Sequence, residues 1–314
     1  MTKKVKIKLS NGNLYEGEVK KGIPHGQGIL KGMGYYKRSK YWKYDKEEEN
    51  SFKYIGSFEN GKKNGYGVLT TYINYDKYYK RFPHVVRTNY MKKTLTGKKI
   101  TSKYEGEWKN NNKHGQGKSW SPPSKIEGMP ERPPTIHIGK WQNDKHHGKG
   151  KRQFGIADFK ETLTGTWNKG KIYEGTWICQ NKEQYLEYKG FTSSNQPHGK
   201  GVLKKIDKKL KIYCLVKGTF FLTQPTKKCS RIYYKDKSFS SVILREEGIF
   251  GYGYLHGRGK ITNQNGDQYF DIFKFGNMQG KGKKINLNKI KDDYEKIRKL
   301  DNKSWDRYYK NREI

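Results

Sequence analysis

The chain has 314 residues and carries 67 Lys and Arg against 30 Asp and Glu, which gives a formal net charge of +37. Only 32% of the residues are hydrophobic and 14% are aromatic, with 25 Tyr, so a thick aliphatic core is excluded. We expect a thin core of rings, with the Tyr hydroxyls left in water. No stretch approaches ~18 consecutive apolar residues, which argues against a membrane-spanning helix. The three Cys show no Cys-x-x-Cys spacing, which argues against a disulfide framework and a structural zinc site.

The N-terminal residues predict a β-strand. Val5, Ile7 and Leu9 alternate with polar residues, and the run is too polar for a secretory signal. We expect this strand to pair with the hairpin that follows it.

One pattern recurs along most of the chain. Its first copy, Tyr15–Gly28, has a glycine at position zero and further glycines at offsets five, nine and eleven. Complete copies start at residues 15, 54, 104, 137, 188, 246 and 269, and half-copies start at 163, 173 and 216. The repeat glycines at offsets zero, nine and eleven are Gly17, Gly26, Gly28, Gly56, Gly65, Gly67, Gly106, Gly115, Gly117, Gly139, Gly148, Gly150, Gly190, Gly199, Gly201, Gly248, Gly257, Gly259, Gly280 and Gly282. Such periodicity predicts an array of stacked units in one domain.

Each copy predicts a β-hairpin. Tyr15, Gly17 and Val19 alternate with polar residues, so the first half of the copy has one apolar face. A glycine in the middle of that face leaves a slot in which a ring from the neighbouring strand can lie. The offset-five residue is Gly, Asn or Asp, the types that accept positive φ in a tight turn. We therefore expect one elongated, single-layer antiparallel sheet over residues 1–284.

The pattern resembles the MORN (membrane occupation and recognition nexus) repeat, Tyr-x-Gly-x-Trp-x-x-Gly-x-x-x-Gly-x-Gly, over most of residues 14–284. It departs from that family at Glu246, in place of the first Tyr, and at Asp271, in place of the first Gly. The resemblance implies a non-enzymatic scaffold, since proteins made only of such repeats are often parts of cilia, radial-spoke heads or membrane-associated cytoskeleton. The family name also implies phosphoinositide binding.

Basic insertions interrupt the array at about 31–53, 71–103 and 121–135. The second insertion interleaves lysines with six rings and contains one acid, Asp76, a composition typical of nucleic-acid surfaces. The simpler interpretation, which we prefer, is that the rings pack under a long hairpin while the lysines are solvated. The cations predicted to anchor an anionic partner are Lys77, Lys80, Arg81, Arg87, Lys92, Lys93, Lys98 and Lys99. The predicted aromatic platform for a partner comprises Trp108, Trp141, Trp167 and Trp177.

The last segment, residues 285–314, predicts an amphipathic helix. Ile290, Tyr294, Ile297 and Leu300 share one helical face. We expect this helix to cover the open end of the sheet, where an unpaired strand would invite further pairing. The alternative is a basic helix that binds a membrane or a partner.

No catalytic, metal or cofactor site is predicted. His25, His114, His147, His198 and His256 share one repeat position, but successive hairpins lie about 9.6 Å apart, too far to share an ion. We expect turn residues there. No phosphate loop and no nucleophile with a paired base is recognisable, so no small-molecule substrate is expected.

The charge indicates an anionic partner. The first hypothesis is a scaffold with protein partners in a multi-subunit cytoskeletal assembly, cytoplasmic and microtubule-associated, as in a cilium or axoneme. The second is a basic subunit of a ribonucleoprotein such as a mitochondrial ribosome. The third is an adaptor on anionic phospholipid.

Overall fold

The computed structural model describes residues 3–33, 50–83, 95–123, 133–156, 158–193, 196–280 and 287–310. The chain forms two compact units. The first comprises Met1–Ser124, Pro134–Gly150 and Asn168–Gly170, and the second comprises Lys125–Pro133, Lys151–Trp167 and Lys171–Ile314. Within the described ranges neither helix is long and apolar enough to cross a membrane.

The first unit is an open antiparallel sheet. Its elements are β1 (Lys3–Lys8), β2 (Leu14–Lys20), β3 (Ile23–Met33), β4 (Asn50–Glu59), β5 (Lys62–Asn74), α1 (Tyr75–Arg81), β6 (Lys98–Lys109), β7 (Asn112–Ser121), β8 (Thr135–Gln142) and the start of β9 (Lys145–Ile156), whose residues from Lys151 belong to the second unit. From β1 to β8 each strand pairs with the next. The predicted N-terminal strand is confirmed, with Ile7 opposite Tyr15.

The hairpins turn where the sequence predicts. Strands β4 and β5 are joined by Asn60 and Gly61 alone, with φ of 49° and 78°. Two successive positive φ values define a type I′ turn, whose twist matches that of the strands. Asn111 and Asp144 occupy the same position with φ of 70° and 64°, so they replace glycine without changing the turn.

The core of the first unit is a ladder of rings. Tyr15, Phe58, Tyr54, Trp108 and Tyr104 follow one another edge to face, with centroids 5.1–5.3 Å apart, and each is at most 4% exposed. Edge-to-face pairs suit the ring quadrupole. The ladder runs across the strands and supplies the thin aromatic core that the composition predicts.

The repeat glycines make room for these rings. Gly56 and Gly67 face each other across β4 and β5, and a Cβ on Gly67 would overlap the Tyr54 ring. Tyr104 lies over Gly117 in the same way. The ring slot is present, but it lies at the glycine of the return strand and is filled by the Tyr of the first strand, whereas the sequence interpretation placed it at the first glycine.

The Tyr hydroxyls are not left in water as expected. The hairpins β2–β3, β4–β5 and β6–β7 each carry a β-bulge after their first glycine, for example between Gly56 and Phe58. The Tyr54 hydroxyl donates to the carbonyl of the bulged Ser57 at 3.0 Å, and Tyr104 donates to Glu107 at 3.0 Å. A bulge leaves one backbone carbonyl without its hydrogen-bond partner on the neighbouring strand. The Tyr hydroxyl supplies the missing hydrogen bond. Burial raises the pKa of Tyr54 and keeps this donor protonated.

The second unit is also an open antiparallel sheet. Its strands are β10 (Phe159–Asn168), β11 (Lys171–Gln180), β12 (Gln184–Ser193), β13 (Gln196–Asp207), β14 (Ile212–Phe221), β15 (Gln224–Tyr234), β16 (Val242–Gly251), β17 (Tyr254–Asn263), β18 (Gln268–Lys274) and β19 (Asn277–Met278), followed by α2 (Leu287–Lys310). From β11 to β19 each strand pairs with the next. The sheet therefore continues through the region where the repeat pattern weakens.

Helix α2 lies across one face of this sheet rather than over its open end. Near its start Tyr294 packs on Phe273 of β18, and near its end Tyr308 packs on Phe159 of β10. Tyr294, Tyr308 and Ile290 are at most 2% exposed. The expectation of an end cap was wrong for most of the helix, because its apolar residues pack on the buried rings of the sheet face. Only its first half reaches the last described strand, where Arg298 donates to the Asn277 side chain at 2.9 Å.

Buried ion pairs fix the helix to the sheet. Asp301 of α2 accepts from Lys205 of β13 at 2.8 Å and from Arg231 of β15 at 3.3 Å, and these side chains are 2–7% exposed. Arg231 also pairs with Glu246 of β16. Arg307, further along the helix, donates to Asp207 at 3.0 Å. Buried charges of this kind require partners, so they specify where the helix lies.

The fold class predicted from the sequence is confirmed. Both units are mainly β, built from antiparallel hairpins in an open single-layer sheet, and the chain carries a C-terminal helix.

Candidate functional site

The second insertion begins with a short helix whose position is fixed by hydrogen bonds. Asn74 caps α1, because its side-chain oxygen accepts from the backbone N–H groups of Asp76 and Lys77, both at 3.1 Å. The backbone N–H of Tyr75 donates to the Gly97 carbonyl at 2.9 Å, and the Gly97 N–H donates to the Asp76 carboxylate at 3.2 Å. The start of α1 is therefore held beside the start of β6.

This arrangement brings together five of the predicted anchor cations. Lys77, Lys80 and Arg81 lie on α1, and Lys98 and Lys99 open β6. The four lysines are exposed and Arg81 is half-buried. We call these five residues the α1 basic surface. Within the described residues its lysines form no ion pair.

The three remaining predicted anchors are Arg87, Lys92 and Lys93, which lie outside the described residues. Their place relative to the α1 basic surface stays a prediction.

The rings of this insertion pack against one another. Tyr75, Tyr78, Tyr79 and Phe82 have neighbouring centroids 5.0–6.4 Å apart, and Tyr79 is 4% exposed. Tyr72 lies under the ammonium of Lys98, 4.3 Å from its ring centroid. The preferred interpretation from the sequence, packed rings and solvated lysines, describes this part of the chain.

The four Trp predicted as a partner platform are buried. Trp108, Trp141, Trp167 and Trp177 are at most 6% exposed. Lys63 covers Trp108, with its ammonium 4.1 Å from the ring centroid, and burial lowers the pKa of Lys63 to about 8, with Asp144 opposing the shift. These rings stabilise the sheets and do not lie on an accessible surface.

The predicted repeat glycines lie in the strands of both units, except Gly280, which follows the last strand, and Gly282, which is outside the described residues. Those at offset nine, such as Gly26 and Gly115, have φ of 70° and 58°, a region that favours glycine. Five of these glycines follow the five repeat histidines. We expected the histidines in turns, but they lie within strands. The His198 carbonyl accepts from the Tyr188 hydroxyl at 3.1 Å. Among the described residues no group of three or more His, Cys, Asp or Glu has metal-binding geometry.

The structure shows a second basic surface that the sequence interpretation missed. An open groove of about 910 Å³ lies on the second unit's sheet, on the face opposite α2. Lys189, Lys200, Lys217 and Lys228 line it, one from each of β12 to β15, together with Tyr173 and Phe191. We call these six residues the lysine groove. Its lining includes one acid, Glu174.

A simple signal in the sequence marks this groove. Gly175, Gly190, Gly201 and Gly218 pair in a row across four strands. Lys189, Lys200 and Lys217 each precede a glycine of that row, and neighbours along a strand face opposite sides. In the first unit the residues at this position are Glu16, Gln27, Ile55, Tyr66, Glu105, Gln116, Ile138 and Lys149. The lysine row is thus particular to the second unit.

Hairpins repeated along the chain, with lysine-rich surfaces on sheet and helix, define a repeat-built binding scaffold. A family model of the MORN repeat matches residues 15–32, 54–72, 104–124, 137–156, 188–208 and 247–268. The chain is therefore a MORN-repeat protein. These matches coincide with the first six complete copies of the pattern. No curated protein matches the chain.

Proposed function

We propose that this protein is a non-enzymatic scaffold that docks in a large assembly through an anionic surface, and that this assembly is the microtubule cytoskeleton of a cilium, an axoneme or the cytoplasm. The observation that carries the proposal is the α1 basic surface. MORN repeats form protein- and membrane-binding modules, and this insertion adds clustered cations to that general role.

The α1 basic surface suits docking because its charges are positioned before binding. The cap at Asn74 and the bonds at Gly97 hold helix and strand together, so little backbone conformational freedom is lost when a partner binds. Lys77, Lys80, Lys98 and Lys99 form no ion pair among the described residues, so each is available to an acidic surface. Attraction of this kind raises the rate of encounter and weakens with salt.

Two other anionic partners fit the same charge. A ribonucleoprotein, such as a mitochondrial ribosome, would use the cations on phosphates. An anionic membrane would gain roughly 1 kcal/mol per basic residue at its surface. We prefer an acidic protein lattice because the described rings of α1 and its C-cap, Tyr75, Tyr78, Tyr79 and Phe82, pack against one another, which leaves little of their surface for bases or acyl chains.

Co-sedimentation with purified, nuclease-treated microtubules tests the proposal. We expect the wild-type chain to pellet with microtubules at low salt. The variant Lys77→Glu/Lys80→Glu/Lys98→Glu/Lys99→Glu should bind at least ~10-fold more weakly, because four favourable charge contacts become repulsive.

The matched control reverses four exposed lysines elsewhere in the same unit, Lys20→Glu/Lys62→Glu/Lys109→Glu/Lys145→Glu. It changes the net charge equally and should lose less than ~3-fold in affinity if position matters. Equal losses in the two variants would show that total charge rather than the α1 basic surface drives binding. Absence of wild-type binding, together with binding to RNA or to anionic vesicles through the α1 basic surface, would reassign the partner.

A further inference from the structure

The lysine groove lies in the second unit and plays no part in the docking proposed above. The backbone of the paired glycine row crosses its floor. Neighbouring strands run in opposite directions, so the lysines lie alternately on the two sides of this row. Lys189 and Lys217 both lie opposite Val202, whereas Lys200 lies opposite Thr219. Cations therefore flank the glycine row on both sides.

The charges in the groove are accessible. Lys200, Lys217 and Lys228 are exposed and form no ion pair within the described chain. Lys189 pairs with Glu187 at 2.9 Å, yet its side chain is 67% exposed. Four strands at ~4.8 Å spacing place the outermost lysines about 14 Å apart along the row. The groove thus presents a line of positive charge, several phosphate groups long.

Two unburied rings distinguish this groove from a plain basic patch. Tyr173 is 58% exposed and Phe191 is 49% exposed, although the rings of the core are almost completely buried. Both line the groove beside the lysines. An acidic peptide or a phosphate headgroup has no flat group for such rings, whereas a base has a face that stacks on any aromatic side chain.

We propose that the lysine groove binds single-stranded nucleic acid, with phosphates on Lys189, Lys200, Lys217 and Lys228 and bases stacked on Tyr173 and Phe191. Lysine contacts to phosphate carry no sequence information, so binding is independent of sequence. The backbone follows the glycine row, and flexible single strands rather than duplexes fit an open groove on a sheet.

Titration of the full chain with a fluorescein-labelled U8 RNA, at several salt concentrations, tests the lysines. The variant Lys200→Ala/Lys217→Ala/Lys228→Ala should reduce the slope of log association constant against log salt by about 2, since each phosphate contact contributes about 0.7. The control Lys209→Ala/Lys235→Ala/Lys237→Ala removes the same charge from exposed sites outside the groove and should leave the slope unchanged. Equal slopes in the two variants would overturn the proposal.

The ring contribution has a separate signature. Phe191→Ala should lower the association constant ~5-fold or more with no change in slope, because stacking does not release counterions. The control Phe270→Ala removes a ring that is 54% exposed on β18, outside the groove, and should bind as the wild type does. Photo-crosslinking of a U8 RNA with 4-thiouracil should label peptides that contain Tyr173 or Phe191.

Crosslinks only to α1, or displacement of the RNA by an octaglutamate peptide or by anionic vesicles at equal charge concentration, would contradict the proposal. Its failure leaves the docking proposal intact, because none of the groove variants alters the α1 basic surface. Conversely, the docking variants at Lys77, Lys80, Lys98 and Lys99 should retain the crosslinks at Tyr173 and Phe191.

Discussion

At the scale of single residues, the contact between a ring and a glycine organises the first unit. Tyr54 of β4 lies over Gly67 of β5. Its hydroxyl donates to the Ser57 carbonyl, which the bulge leaves without a partner on the neighbouring strand. One Tyr therefore fills a slot, joins two strands and satisfies a buried acceptor. The sequence periodicity predicts a ring slot at a glycine but places it on the first strand, and it does not predict the bulge, because the bulge changes register without leaving a distinctive residue at position 57.

Gly67→Ala tests this contact. The new Cβ would overlap the Tyr54 ring, and we expect a loss of about 1–3 kcal/mol in the free energy of unfolding, as for overpacked cores. Urea unfolding followed by Trp fluorescence measures it. In a Tyr54→Ala background the same substitution should cost much less, because the residues are coupled.

The control for this prediction is Gly12→Ala. Gly12 has φ of 83°, and no heavy atom lies within 4 Å of the position that a Cβ would take there, so only the backbone cost of about 1–2 kcal/mol applies. Equal costs for Gly67→Ala with and without the Tyr54 ring would show that the ring does not define the slot.

At the scale of elements, the C-terminal helix shows what pattern alone leaves undetermined. The spacing of Ile290, Tyr294 and Ile297 predicts a helix and its apolar face, and both are present. The place on the sheet where the helix packs depends on Asp301, whose partners Lys205 and Arg231 are 96 and 70 residues away in sequence. In sequence Asp301 resembles the other acids of this amphipathic helix, which are solvated, because its distant partners have no local signature.

Asp301→Asn tests the role of the ion pairs. The amide would leave two cations buried without the Asp301 counter-charge, and we expect a loss of about 3–5 kcal/mol in unfolding free energy at pH 7. The exposed Asp306→Asn on the same helix should change it by less than about 0.5 kcal/mol. Chemical unfolding followed by far-UV circular dichroism measures both.

The pH dependence of this loss gives a second readout. Burial opposes ionisation of Asp301, but Lys205 and Arg231 outweigh it and hold the pKa of Asp301 below its usual range. An Asp whose pKa is depressed in the folded state stabilises that state fully above its unfolded-chain pKa of about 3.9. This stabilisation is lost as the pH falls through the folded-state pKa. The difference between wild type and Asp301→Asn should therefore shrink below about pH 4. A difference independent of pH would exclude the charge as its cause.

At the scale of the whole molecule, an excess of positive charge is divided between two kinds of surface. The α1 basic surface was predictable from composition, since its cations crowd one insertion. The lysine groove was not recognised, because Lys189, Lys200 and Lys217 are separated by 11 and 17 residues and only strand pairing brings them together. A net charge of +37 thus indicates an anionic partner but not which surface meets it.

Affinity purification of the tagged chain from native extract, with and without nuclease and at two salt concentrations, decides between a microtubule partner and a ribonucleoprotein partner. We expect tubulin and its associated proteins to be recovered after nuclease treatment, to decrease at high salt, and to be lost from the variant Lys77→Glu/Lys80→Glu/Lys98→Glu/Lys99→Glu. Recovery of ribosomal proteins that disappear with nuclease, with no tubulin in any condition, would contradict the microtubule proposal.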